Sequence, residues 1–146
     1  AFLTDEEGPQ RWDGIYAIAT PGRTSSMLFN MGNVLMPQRA RGSSFMTYAT
    51  ASLARSIAGD ADEAILDRFQ RDLEETLPEL RGHVVERLLH RVDPGIPYPF
   101  VGRGRIQRAL LEPLGRVHLA GDYLGSWYAE TSIWTARAAA AAAREQ

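Results

Sequence analysis

The C-terminal end of the chain has the most regular pattern in the sequence. A short, mainly apolar run at residues 116–120 is followed by Gly121-Asp122, by an aromatic loop that ends at Trp127, and by a segment that closes on six consecutive alanines. The apolar run predicts a strand. Alanine has the highest helix propensity, so we predict a helix from about residue 128 to the C-terminus. The order of these segments predicts a β–α unit.

Each part of this β–α unit has chemical content. A glycine at a strand end lets a ligand approach the backbone closely, and the carboxylate next to it accepts hydrogen bonds from sugar or polyol hydroxyls. A helix that begins just afterwards directs unpaired N–H groups and a partial positive charge at a ligand above it. The unit therefore suits a polyol-linked cofactor that gains negative charge during turnover. An ordinary β–α connection with an Asp turn fits the spacing equally well.

Upstream, the pattern predicts a sheet of short strands. Residues 1–13 are polar and include three consecutive acids, so we expect a frayed N-terminal segment. Short β-rich runs separated by turns predict strands at 14–20, 26–31 and 43–50, which short connections would join as an antiparallel meander. A further strand is expected at 83–92.

One amphipathic helix stands out between these strands. Apolar residues recur at spacings of three and four over residues 60–77, namely Ala64, Ile65, Phe69, Leu73 and Leu77. We expect Asp60 or Asp62 to cap this helix and Pro78 to end it. The charged residues of its opposite face are expected to be solvated. A short helix is expected at 106–112, and the fold class is α+β.

The composition of the 146 residues excludes several kinds of chemistry. The chain has no cysteine, and all of its 16 basic residues are arginine. Disulfides, thiolate nucleophiles, Cys-ligated zinc and lysine Schiff bases are therefore impossible within it. A net charge of −2 argues against a nucleic-acid or anionic-membrane surface. No signal peptide opens the chain, so we expect a cytoplasmic location, and the start on Ala1 indicates a trimmed end.

Other motifs are weaker. The three histidines lack a metal-ligand spacing, so no metal site is expected. Gly102-Arg103-Gly104 is similar to the beginning of GxGxxG, but Gln107 occupies the place of the final glycine, and we reject a nucleotide fingerprint there.

The terminal residues do resemble a known motif. The sequence Arg-Val-His-Leu-Ala-Gly-Asp at 116–122, then Tyr-Ala-Glu-Thr at 128–131 and Ala-Arg-Ala-Ala at 136–139, resembles the C-terminal flavin motif of the flavin-containing amine oxidase and protoporphyrinogen oxidase superfamily. Helix 60–77 and the Ile-Pro-Tyr-Pro run at 96–99 resemble the last part of that family's substrate domain more loosely. The resemblance implies that 14–112 belong to a substrate domain, and that 113–146 form the last strand and helix of a Rossmann-like FAD-binding domain.

The same resemblance implies roles for individual residues. Gly121 would let the cofactor's sugar-phosphate chain pass close to the backbone, and Asp122 would hold a ribityl hydroxyl of FAD. The N–H groups of Ala129 and Glu130 would face the flavin pyrimidine ring. The family has glycine where this chain has Thr131, which narrows the space at the helix start.

Two tyrosines are the candidate catalytic residues. Tyr128 matches the aromatic position that flanks the amine in such oxidases, and Tyr98 would supply a second aromatic wall; ordinary packing is the alternative for both. The family's N-terminal GxGxxG unit, which binds the ADP half of FAD, has no counterpart in the sequence.

The resemblance therefore implies a C-terminal part of an FAD-dependent oxidoreductase. The complete enzyme would transfer a hydride from a small-molecule substrate to flavin. Its missing half would be the N-terminal FAD-binding half of the same protein or a partner subunit, so this chain alone is expected to retain FAD weakly or not at all. The alternative is a non-catalytic ligand-binding or interaction domain that keeps the shape of the substrate domain.

Overall fold

The computed structural model describes residues 1–35, 40–93 and 95–144. The chain divides into two compact units, Ala1–His90 and Arg91–Gln146. The first unit is built on an antiparallel sheet that has five strands within the described residues: β1 (Phe2–Thr4), β2 (Ala17–Ala19), β3 (Met27–Asn30), β4 (Ser44–Tyr48) and β5 (Val84–Arg87). Their order across the sheet is β2-β3-β4-β1-β5. The expected antiparallel sheet is thus confirmed, with shorter strands than the sequence indicates.

The sheet combines an expected meander with an unexpected central strand. Strands β2, β3 and β4 follow one another, and Leu28 in β3 pairs with Ile18 and Thr47 on its two sides. The expectation of a frayed N-terminal segment is wrong, because β1 lies between β4 and β5. Phe2 is fully buried and pairs with Phe45 and Arg87. A strand of three residues shows too little alternation to be recognised, and its neighbours in the sheet determine its place.

Three helices complete the first unit within its described residues: α1 (Gly32–Leu35), α2 (Ala51–Ile57) and α3 (Asp62–Thr76). Helix α3 buries Ile65, Leu66, Phe69 and Leu73 in the same core as Phe2. Its N-cap is Ala61, so the expected cap by Asp60 or Asp62 is wrong. Pro78 opens a 3-10 helix, Pro78–Leu80, and ends α3 as expected.

The second unit has two helices and one 3-10 turn within its described residues. They are α4 (Gly104–Leu111), the 3-10 turn Asp122–Leu124 and α5 (Ala129–Arg144). The helices expected at 106–112 and from 128 onward are thus present, although residues 145 and 146 lie outside the described residues.

The strand expected at 116–120 is wrong. Val117 forms only an isolated bridge with Leu114. A strand needs a neighbour that satisfies its backbone groups, and no described strand pairs with this segment. The Rossmann-like detail and the assignment of 14–112 and 113–146 to two functional parts stay predictions. None of the described helices has the length and apolar character needed to span a membrane.

Candidate functional site

The candidate site begins at the turn that follows Gly121. Gly121 has φ +147°, and a Cβ at this position would lie 2.5 Å from Cε1 of Tyr123. Both the backbone conformation and the neighbouring ring therefore require glycine. This requirement holds without any ligand, so the role of Gly121 toward a cofactor stays a prediction.

A threonine of α5 holds the same glycine from the other side. The Gly121 N–H donates to Oγ1 of Thr135 over 2.9 Å. The Thr135 hydroxyl donates in turn to the Thr131 carbonyl one helical turn earlier, over 2.7 Å. The turn is thereby fixed to the first half of α5.

Two side chains from the beginning of α4 hold the 3-10 turn itself. Arg103 Nη2 donates to the Tyr123 carbonyl. Gln107 Nε2 donates to the Leu124 carbonyl over 2.7 Å, and Arg103 Nη1 donates to Gln107 Oε1 over the same distance. Arg103 and Gln107, which we call the α4 brace, thus fix two successive carbonyls of the turn.

Asp122 lies at the start of this braced turn. Its side chain is half-buried, and it makes no hydrogen bond or ion pair with any residue that the structure describes. Only its backbone is engaged, through its carbonyl, which accepts the Gly125 N–H over 3.0 Å. The carboxylate is therefore available to accept hydrogen bonds from a ligand.

The first turn of α5 is open. Tyr128, Ala129 and Glu130 are exposed. Among the described residues, no backbone group accepts a hydrogen bond from the N–H of Ala129 or Glu130, as expected for the first residues of a helix. Thr131 contacts the loop just before the helix, because its hydroxyl lies 2.8 Å from Oγ of Ser126 and its methyl packs beside Gly125.

Both candidate tyrosines are exposed. Tyr128 is 61% exposed and directly precedes α5, whereas Tyr98 is 80% exposed and lies in the extended segment before α4. Within the described parts of the chain, neither ring contacts another ring, and neither hydroxyl makes a hydrogen bond. The structure therefore joins Tyr128 to the opening at α5 through the chain, but it gives no contact between Tyr98 and that opening.

The polar groups of the turn and of the start of α5 have a definite chemical preference. A free carboxylate accepts hydrogen bonds from hydroxyls, and free N–H groups at a helix start favour an anionic or strongly polar acceptor. These residues therefore fit a flavin, whose ribityl chain carries hydroxyls and whose pyrimidine ring carries carbonyl oxygens.

The sequence interpretation missed the residues that hold this turn. Thr135 follows Thr131 by four residues, and this spacing places both side chains on one helix face. The sequence therefore contained a signal that Thr135 lies on the same side of α5 as the predicted site residue Thr131. Arg103 and Gln107 carry no comparable signal, because their partners are backbone carbonyls about twenty residues away.

A comparison with known protein families bears on the whole of this arrangement. Residues 5–144 match the family model described as flavin containing amine oxidoreductase. No curated protein and no solved structure matches the chain. Because the family match extends over nearly the entire sequence, the chain belongs to the flavin-containing amine oxidoreductase family.

Proposed function

We propose that the chain supplies part of the flavin site of an FAD-dependent, amine oxidase-like oxidoreductase. The observation that carries the proposal is the open start of α5, where Ala129 and Glu130 present free N–H groups. The turn that carries the Asp122 carboxylate, which has no partner among the described residues, is tied to the same helix through Thr135. Family membership supports a flavin as the ligand of this combination.

In this proposal, each residue has one task toward the cofactor. Asp122 accepts a hydrogen bond from a ribityl hydroxyl, and the N–H groups of Ala129 and Glu130 face the pyrimidine ring. Gly121 has no side chain and so lets the sugar-phosphate chain pass close to the backbone. Thr131 borders the helix start. The bound flavin supplies the redox chemistry, accepting a hydride from a small-molecule substrate with an amine-bearing or similar C–H bond.

The helix start has a bounded effect on that chemistry. A helix N-terminus stabilises a negative charge by roughly 0.3–1 kcal/mol, and by about 2 kcal/mol in partly buried geometry. For a two-electron couple, about 1.4 kcal/mol corresponds to about 30 mV. The start of α5 therefore raises the flavin potential by a few tens of millivolts at most, which tunes the reaction without driving it.

Tyr128 and Tyr98 are proposed as aromatic walls of the substrate pocket. Support comes from their exposure, because both rings are more than half exposed and neither contacts another aromatic ring among the described residues. An aromatic face attracts a substrate ammonium group by about 0.5–2 kcal/mol. Tyr128 has the stronger support, because it lies directly beside the first turn of α5.

The second unit also exposes large apolar side chains. Leu124 is its one buried side chain among the residues described. Large apolar side chains such as Ile133 and Trp134 are more than half exposed on α5. A patch of this kind marks an interaction surface. We propose that it meets the half of the enzyme that binds the ADP part of FAD, in the same protein or in a partner subunit.

An FAD titration tests the proposal. The chain alone should bind FAD weakly or not at all, and adding the flavin-binding half, sought in the adjoining coding sequence, should give a stable yellow complex. In that complex Asp122→Asn should weaken FAD binding about tenfold, equivalent to about 1.4 kcal/mol. Asp93→Asn is the matched control, because Asp93 is an exposed acid of the same unit.

Three outcomes would contradict parts of the proposal. Stable flavin on the chain alone would show that no second half is needed. Absence of flavin from both the chain and the complex would exclude the flavin function. The alternative, a non-catalytic ligand-binding or interaction domain, would then remain. Equal FAD affinity in the Asp122 and Asp93 variants would remove Asp122 from the site.

A further inference from the structure

The α4 brace has no place in the proposed contacts with the cofactor, yet it controls the turn that makes them. Arg103 and Gln107 donate to the carbonyls of Tyr123 and Leu124, and they also bond to each other. The guanidinium carries a full charge, so its hydrogen bond to the carbonyl is of the stronger, charge-assisted kind. Both brace residues are half-buried, whereas Arg105 between them is exposed.

The brace and Thr135 engage backbone groups of the turn, and among the described residues they leave the Asp122 carboxylate unused. Thr135 engages the N–H of Gly121, and the brace engages the carbonyls of Tyr123 and Leu124. Within the described residues, the Asp122 carboxylate has no partner that would fix its direction. The direction of the Cα–Cβ bond of Asp122 is thus set by a backbone that Arg103, Gln107 and Thr135 hold in place.

We propose that Arg103 and Gln107 are positioning residues, which fix the 3-10 turn so that Asp122 faces a flavin bound at the start of α5. The inference rests on the proposed function. Neither residue touches the cofactor. Both act through the backbone of the turn, and their loss leaves the Asp122 carboxylate chemically intact but wrongly directed.

The matched variants are Arg103→Met and Arg105→Met, which remove the same charge and the same donors from neighbouring positions. In the flavin-loaded complex, Arg103→Met should weaken FAD binding about tenfold, and Arg105→Met less than twofold. Amide exchange at Leu124 and Gly125, whose N–H groups close the turn, should accelerate in Arg103→Met alone. Gln107→Leu, which keeps the arginine charge, is the second variant if Arg103→Met does not fold.

A double-mutant cycle separates positioning from general destabilisation. In the Asp122→Asn background, Arg103→Met should weaken FAD binding less than twofold further, because both changes remove the same contact. Additive losses would overturn the proposal and make the brace merely structural, as would a wild-type FAD affinity in Arg103→Met with a loosened turn. If the wild-type complex binds no FAD, the proposed function itself fails and this inference falls with it.

Discussion

Gly121 shows how one residue type can serve packing and ligand binding at once. Its φ of +147° and the Tyr123 ring, 2.5 Å from the position of a Cβ, both oppose any other residue. Gly121→Ala should therefore strain the turn by about 1–3 kcal/mol from the backbone alone. We expect faster amide exchange at Leu124 and Gly125, measured by NMR on the chain.

Two further variants define the cause of this effect. Tyr123→Ala in the Gly121→Ala chain removes the clash but not the backbone strain, so it should restore part of the protection. Gly104→Ala is the control, because Gly104 begins α4 and its Cβ would meet nothing within 4 Å. Equal exchange rates in Gly121→Ala and Gly104→Ala would show that the turn adapts to a side chain.

Asp5 is the residue whose charge most clearly supports the first unit. Its Oδ1 lies 3.0 Å from Nδ1 of His83, and its Oδ2 accepts a hydrogen bond from Arg41 over 3.1 Å. The hydrogen bond with His83, followed by that with Arg41, holds the pKa of the Asp5 carboxyl below its ordinary value. A carboxyl whose pKa is lowered by folding stabilises the fold at pH values above its pKa in the unfolded chain. This stabilisation is lost as the pH falls through its pKa in the folded chain.

Asp5→Asn should therefore destabilise the chain at pH 5–7, and the difference from wild type should shrink below about pH 4. Urea unfolding followed by circular dichroism at several pH values measures the free energy of unfolding. Glu7→Gln is the control, because Glu7 is exposed nearby and makes no side-chain ion pair with a described residue. A difference that persists unchanged to pH 2 would mean that the Asp5 charge is not its source.

Helix α3 shows what sequence periodicity predicts well and where it fails. The spacing of Ile65, Phe69 and Leu73 predicted the buried face, and all three are buried. The periodicity assigns Asp72 to the charged face that we expect to be solvated, yet this residue is buried. Its carboxylate accepts the Ser25 N–H over 2.7 Å. A tertiary contact with a residue 47 positions away leaves no trace in the local pattern.

This contact gives a prediction for the element. Asp72→Ala should lower the free energy of unfolding by about 1.5–3 kcal/mol, because it leaves the N–H of the buried Ser25 without its charged acceptor. Asp72→Asn keeps an oxygen that can accept the Ser25 N–H, so it should lower the free energy of unfolding by less. Glu74→Ala on the same helix should cost under about 0.5 kcal/mol. Urea unfolding measures all three, and equal losses at 72 and 74 would contradict the argument.

The sequence likewise indicated some residues of the candidate site and not others. Glycine, acid and helix start were recognisable because each requires a particular residue type at a fixed spacing. The brace was not, because its donors bind backbone carbonyls, which every residue offers. The strand expected at 116–120 failed for a related reason, since pairing partners and not local propensity decide whether an apolar run forms a strand.

At the scale of the whole molecule, the two units differ in how much they bury. The first unit encloses a continuous core that includes Phe2, Trp12, Phe45, Leu73 and Leu80. The second buries only Leu124 among its described side chains. Local stability follows buried apolar contacts, so the first unit should open far less often than the second.

Hydrogen exchange on the isolated chain tests this difference. Amides in the middle of α3 should exchange at rates set by global unfolding, whereas amides in the middle of α5 should exchange through frequent local opening. Adding FAD and the proposed flavin-binding half should slow exchange in α5 strongly and leave α3 nearly unchanged, because α3 already packs in the core of the first unit, whereas α5 exposes large apolar side chains. Equal protection of both helices in the isolated chain would show that α5 is already supported, and the exposed Ile133 and Trp134 would then no longer support the proposed partner surface.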